Sequence, residues 1–165
     1  MTEARILAVC RSEQKGTRKK NIGEGTILEN WGLEGDAHAG PWHRQVSLLA
    51  DESYQKARAQ WHLDVSHGDF AENLTTQGID LKSLPIGTRL GIGSSAMLEI
   101  TQIGKKCHSG CEIMLLAGKC VFPEEGVFGR VIRGGTVRAG DPIEILAADG
   151  DGDGDGPRSA ARDGD

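Results

Sequence analysis

Seven short aliphatic and β-branched runs, each closed by Gly, Pro, Asn or Asp, set the tightest limit on how this chain can fold. Residues 5–10, 26–28, 45–49, 88–92, 97–103, 127–133 and 142–146 have the length and the flanking turn residues of strands, and are too short for helices. Twenty-four glycines among 165 residues favour many turns over a helical bundle. The spacing between runs is irregular, so no repeat unit is present. One segment reads as a helix, from Glu52 to about His62, because Tyr54, Ala57, Arg58 and Trp61 share a face. Asp51 is placed to cap it and Glu52 suits its first turn. A shorter helix is expected from Cys111 to Leu116, ended by Gly118. Residues 135–145 read as a Gly-Asp turn feeding a last strand. The expected fold is mainly β, a closed or partly closed β-barrel with a few short helices.

The length suits one domain with its own core, placed at residues 1–148. After Ala148 the composition changes to alternating Asp and Gly. Residues 149–165 are therefore expected to form a disordered tail or a linker remnant. The alternating aspartates lack the closing Glu and flanking helices of an EF-hand. A formal charge of −5 argues against non-specific nucleic-acid binding. No apolar run approaches the roughly 20 residues needed to cross a bilayer, and no signal-peptide core is visible, so no membrane partner is expected and the protein reads as cytoplasmic. The oligomeric state is not legible.

Chemistry concentrates in Lys105-Lys106-Cys107-His108-Ser109-Gly110-Cys111. Two thiols four residues apart follow two lysines, whose ammonium groups favour thiolate, the form that attacks electrophiles, carries sulfur and binds soft metals. Cys107 and Cys111 are thus the candidate catalytic residues. In a reducing compartment, metal binding or catalysis is favoured over a disulfide. Cys10 ends an apolar run and reads as a small buried hydrophobe, and Cys120 beside Val121 and Phe122 reads the same way.

Two polar loops accompany the thiols. Residues 32–45 place three glycines and a proline around His38 and His43, a pattern suited to a loop at the mouth of a site. Each histidine, taken alone, reads as loop support, with acid/base or metal-ligand roles open. Arg44 can hold a phosphate or carboxylate through two parallel hydrogen bonds. In residues 67–78, Asn73, Thr75 and Thr76 supply neutral donors and acceptors that suit a heterocycle edge, a phosphate, or an Asx/ST turn.

Gly-Leu-Glu-Gly-Asp-Ala-His (32–38), Gly-Asp-Phe-Ala-Glu-Asn-Leu-Thr-Thr (68–76), Leu-Pro-Ile-Gly-Thr (84–88) and Thr-Gln-Ile-Gly-Lys-Lys-Cys (101–107) occur in this order. Together they resemble the MOSC family, named for the C-terminal domain of molybdenum cofactor sulfurase, in its small stand-alone bacterial form. The resemblance spans about residues 6–145 and implies a β-barrel that binds molybdenum cofactor (molybdopterin) or carries sulfur for metal–sulfur cofactor assembly. It maps the family's metal-ligating or persulfide-carrying cysteine onto Cys107 and its pterin-site asparagine onto Asn73, with Thr75 and Thr76 beside it. Arg44, Lys105, Lys106, His38 and His43 complete the expected cofactor-binding set. The sequence has Gly-Lys-Lys-Cys where Arg-Lys-Pro-Cys is commoner, and it adds Cys111, so both thiols stay candidates. Pyridoxal phosphate binding belongs to the family's larger members. This chain has no room for that desulfurase domain, so sulfur is expected from a cysteine desulfurase or another cofactor-biosynthesis protein.

Alternatives stay open on the residues themselves. Cys107, Cys111 and Cys120 with one of His108, His38 or His43 could bind zinc. A zinc-stabilised interaction module without turnover, a Cys107/Cys111 redox switch, and a small reductase of N-oxygenated compounds using bound molybdenum cofactor are the others.

Overall fold

The computed structural model describes residues 4–15, 17–104 and 125–148. Among the described residues the strands in chain order are β1 (Arg5–Arg11), β2 (Lys20–Asn21), β3 (Glu24–Leu28), β4 (Gly32–Leu33), β5 (Val46–Ala50), β6 (Leu74–Gln77), β7 (Thr88–Ile92), β8 (Ala96–Ile103), β9 (Val127–Arg133), β10 (Gly135–Arg138) and β11 (Ile143–Ala148). Helix α1 (Asp51–Trp61) lies between β5 and β6, and a 3-10 turn covers Leu81–Ser83.

Eight strands form one curled sheet in the order β11-β7-β8-β9-β5-β6-β1-β2, and β10-β3-β4 form a second. The large sheet nearly closes on itself. Arg5 bridges Pro142, Ile6 N–H donates to Asp141 O at 2.8 Å, Gly140 N–H to Ile6 O at 2.7 Å, and Ile143 N–H to Ala4 O at 3.0 Å. This seam joins the first strand to the last and makes the fold the expected mainly β, partly closed barrel with short helices. Its interior is filled by alternate residues, among them Ile6, Leu48, Leu74, Leu90, Leu98, Ile100, Val127 and Val131. No helix among the described residues is long and apolar enough to cross a membrane.

All other large-sheet pairs are antiparallel, but β5 and β6 run parallel, Leu48 opposite Leu74. A parallel pair needs a crossover, and α1 supplies it. Tyr54 and Ala57 of α1 pack with Leu49, Val65, Phe70 and Phe128 in a second apolar cluster. The helix ends at His62, whose left-handed backbone (φ 56°) lets its N–H reach Ala57 O.

Three local expectations change. Asp51 is the first helical residue, preceded by Ala50 without a side-chain cap; its carboxylate instead takes Gln55 at 2.8 Å and His67 at 2.7 Å. Gly135–Arg138 is a strand paired with β3, not part of a turn, because Val137 alternates into the core. Leu74–Gln77 is an inner strand between β5 and β1, not a loop. The expected helix at residues 111–116 and the tail at 149–165 lie outside the described residues.

Candidate functional site

One end of the barrel gathers two of the polar motifs around the terminus of β8. Residues 34–45 connect β4 to β5 in successive turns, with Gly32 at φ 129° and its α-carbon facing Gln45 O so closely that no β-carbon fits (2.5 Å). Gln45 secures the end of that connection from inside the protein, donating to Asn30 Oδ1 at 3.0 Å and accepting from Val131 N–H at 2.9 Å. His43 and Arg44 are consequently held just outside the sheet.

Gln102 receives both. Its Oε1 lies 2.8 Å from His43 Nε2 and accepts Arg44 Nε–H at 3.2 Å, while its own amide donates to Gly104 O at 2.8 Å. Thr101 donates to His43 O and Phe128 O, fixing the same loop from the neighbouring position. Gly104 N–H donates in turn to Gly126 O at 2.7 Å, clasping the two points between which residues 105–124 run. The Arg44 guanidinium lies 5.1 Å from the Phe128 ring centre and 5.7 Å from that of Trp42, with Lys15 Nζ 5.5 Å from the latter. Trp42 is 38% exposed. The result is a rim of cationic and aromatic groups, a composition suited to an anion carried on a flat ring.

Beneath the rim, Lys19 and Asp36 form an ion pair at 2.8 Å with neither side chain exposed. Asp36 also accepts backbone N–H groups from Ser12 and His38, each at 3.0 Å. Burial pushes the Asp36 carboxyl up, but Lys19 and these N–H groups outweigh it and hold the group below the usual carboxylate range. Lys19 Nζ further contacts Ser12 Oγ at 3.2 Å and His38 Nδ1 at 3.3 Å. Trp42 Nε1 donates to His38 O at 2.8 Å, joining this cluster to the rim.

Asn73, Thr75 and Thr76 are fully buried. Asn73 Oδ1 accepts Ser47 N–H at 2.9 Å and Ser47 Oγ at 3.1 Å, and its amide donates to Cys10 O at 3.1 Å, tying β1 to β5. Thr75 donates to Glu72 Oε2, and Thr76 Oγ1 has no hydrogen-bond partner among the described residues. Glu72 is itself wholly buried, accepting from Tyr54 OH at 2.8 Å and Gly68 N–H at 3.1 Å. Burial raises its carboxyl above the usual range despite the hydrogen bonds from Thr75, Tyr54 and Gly68. Burial, then Glu72, also raises the Cys10 thiol far above its ordinary value, so Cys10 is a buried thiol and not a nucleophile.

The structure thus brings His38, His43 and Arg44 to one rim and sets Asn73, Thr75 and Thr76 inside the barrel wall. Lys105, Lys106, Cys107, His108, Cys111 and Cys120 lie outside the described residues. Among the described residues no group of three His, Cys, Asp or Glu side chains is arranged to hold a metal. Sequence reasoning passed over Lys19, Asp36, Glu72 and Gln102. Three of these sit inside the quoted motifs, and that membership was the available signal; Lys19 offered none.

The model of the MOSC domain family matches residues 35–144. No curated protein matches the sequence. Among solved structures, the YuaD protein from Bacillus subtilis is 19% identical with a TM-score of 0.74, covering 87% of this chain and 96% of its own. YiiM from Geobacillus stearothermophilus is 16% identical (TM-score 0.69; 87% and 75% covered). YiiM from Escherichia coli is 23% identical (TM-score 0.63; 89% and 71% covered). At these identities the likeness is one of fold.

Proposed function

The chain belongs to the MOSC domain family, a family generally linked to molybdenum cofactor binding, and from that premise we propose that this protein holds the cofactor at the rim around Gln102, with Cys107 as its reactive sulfur. The observation that carries the reading is the convergence on Gln102: one side-chain amide binds His43, Arg44 and the backbone of Gly104 together. Cys107 follows Gly104 by three residues in the sequence.

The residues present fit such a group. The cofactor is a phosphate-bearing pterin: the planar Arg44 guanidinium suits its phosphate, and the exposed Trp42 ring suits its flat heterocycle. Lys105 and Lys106 add charge of the right sign, and either Cys107 or Cys111 supplies a soft thiolate. When bound, the cofactor supplies a metal that exchanges two electrons. In this reading Cys107 ligates that metal or carries persulfide received from a cysteine desulfurase or another cofactor-biosynthesis protein, in the cytoplasm. Asn73, Thr75 and Thr76 serve from behind, holding the strands on which the rim stands.

The test is elemental analysis of protein purified anaerobically, beside a Cys107→Ala variant. Molybdenum or tungsten bound by the native protein and lost in the variant is the expected result. Full metal loading in Cys107→Ala overturns the assignment of Cys107, and zinc near one per chain in place of molybdenum overturns the cofactor reading in favour of a zinc-stabilised module.

A further inference from the structure

The oxygen and nitrogen of a side-chain amide are told apart by what they bind. At Gln102, which is 8% exposed, two partners give the same answer. An arginine N–H can only donate, so the atom 3.2 Å from Arg44 Nε is the amide oxygen. A backbone carbonyl can only accept, so the atom 2.8 Å from Gly104 O is the amide nitrogen. That oxygen also faces His43 Nε2 at 2.8 Å, where two opposed lone pairs would repel. Nε2 therefore carries a hydrogen. We propose that Gln102 keeps a proton on His43 Nε2 in both charge states of the ring, and that His43 meets its ligand through Nδ1, as the acceptor for a ring N–H or amine.

The proton assignment rests on the contacts at Nε2 and holds whatever meets Nδ1. A neutral imidazole and an imidazolium both present Nε2–H to Gln102, so the ring gains or loses charge at Nδ1 without breaking the hydrogen bonds that hold the rim together. A carboxylate partner would not be so indifferent, because it favours the charged ring, as Asp51 does at 2.7 Å from His67. Around His43, β8 brings neutral groups: the Gln102 amide at the ring and the Thr101 hydroxyl at the backbone carbonyl. Trp42 meets the ring edge-on at 5.9 Å and carries the cations Lys15 and Arg44. No carboxylate pairs with His43 among the described residues. Gln102 is thus a positioning residue that fixes the ring without setting its charge.

This gives the rim a selectivity that its cations lack. A bare anion satisfies only Arg44 and Lys15, whereas a flat heterocycle bearing both a negative group and an N–H edge satisfies the cations and Nδ1 together. A metal could reach this ring only through Nδ1, because ligation at Nε2 would strip the hydrogen that Gln102 holds. The use of Nδ1 rests on the cofactor reading; the proton on Nε2 does not.

Long-range proton–nitrogen NMR spectra of cofactor-free protein labelled at histidine nitrogen test the assignment, with His43→Gln identifying the resonance by its loss. The expected pattern at about pH 8 is a protonated Nε2 and a lone-pair-bearing Nδ1, with any proton taken up toward about pH 5 appearing at Nδ1. A protonated Nδ1 beside a bare Nε2 overturns the proposal whatever the cofactor content. Gln102→Leu is expected to populate both tautomers and Gln102→Glu, which keeps an acceptor, to restore the native one; an unchanged pattern in Gln102→Leu removes Gln102 from the role. Should the leucine variant fail to fold, the native spectrum still decides the tautomer. Addition of a phosphate-bearing pterin should then move the Nδ1 signal and leave Nε2 protonated. A ring in the expected tautomer that ignores the pterin overturns the acceptor role, while metal content in the Cys107→Ala comparison judges the cofactor reading separately.

Discussion

Replacing Lys19 by Met keeps the aliphatic stem and removes one charge from a pair whose side chains are both fully buried. Breaking a buried ion pair on one side costs about 3–5 kcal/mol, since the remaining charge is left without a partner. Asp36 retains the N–H groups of Ser12 and His38, each at 3.0 Å, which places the expected cost near the lower end, about 3 kcal/mol. With a urea slope of about 2 kcal/mol per molar, the midpoint should fall by roughly 1.5 M. Tryptophan fluorescence, from the three tryptophans of the chain, follows the transition. The pH dependence separates this cause from simple loss of packing. In the native protein the Asp36 carboxyl lies below the usual range, so its contribution is present above about pH 4 and lost as pH falls through the lowered value. In Lys19→Met, burial acts without the opposing cation and the carboxyl rises above its unfolded value. The folded variant then takes up a proton as pH falls, and its deficit should narrow between about pH 7 and 5. A deficit below about 1 kcal/mol, or one equal at both pH values, would refute the reasoning.

Further outcomes follow from the same contacts. Tyr54→Phe removes the donor to Glu72 and an acceptor for Phe70 N–H (3.1 Å), and should cost about 2–4 kcal/mol. Because the Glu72 carboxyl is already raised, stability falls as pH rises through its folded value, so urea melts should show the larger loss at about pH 8 than at pH 5. Gly68→Ala puts a β-carbon 2.2 Å from Lys19 O at a backbone φ of 95°, and should cost about 3 kcal/mol or abolish soluble expression. Gln102→Leu should leave the thermal midpoint within a few degrees of native while metal content after anaerobic purification drops about tenfold, as loss of a supporting hydrogen bond does at metal sites.

The strands that alternate or run apolar were legible because burial on a sheet writes itself as hydrophobicity. Leu74–Gln77 was not, since Asn73, Thr75 and Thr76 read as turn chemistry; its burial depends on Ser47 and Cys10, which arrive from other elements, and on the neighbouring Glu72. The two-residue strands β2 and β4 carry too few residues for any period. Asp51 has the composition of a cap, yet His67 from a later loop claims its carboxylate. His38, His43 and Arg44 were legible as loop residues of a kind that builds sites, but nothing in the chain foretold that Gln102 would hold two of them. Lys19 is the hardest case: it lies among the basic residues Lys15, Arg18 and Lys20, and only the fold distinguishes the one that is buried.

The seam between Ala4–Ile6 and Gly140–Ile143 has a consequence for how the protein is made. A ribosome emits β1 first and β11 last, so the strand that completes the barrel is absent until synthesis of the domain is nearly over. Long-range pairing of this kind forms slowly, because the whole intervening chain must be ordered before the two ends meet. Until then β1 has β6 on one side, while on the other β2 covers only its Cys10–Arg11 end and the Ala4–Ile6 end is a bare hydrogen-bonding edge, the kind of edge to which other chains add. The nascent protein should therefore depend on chaperones most while β11 is still unmade, and truncation before Pro142 should make the chain aggregate.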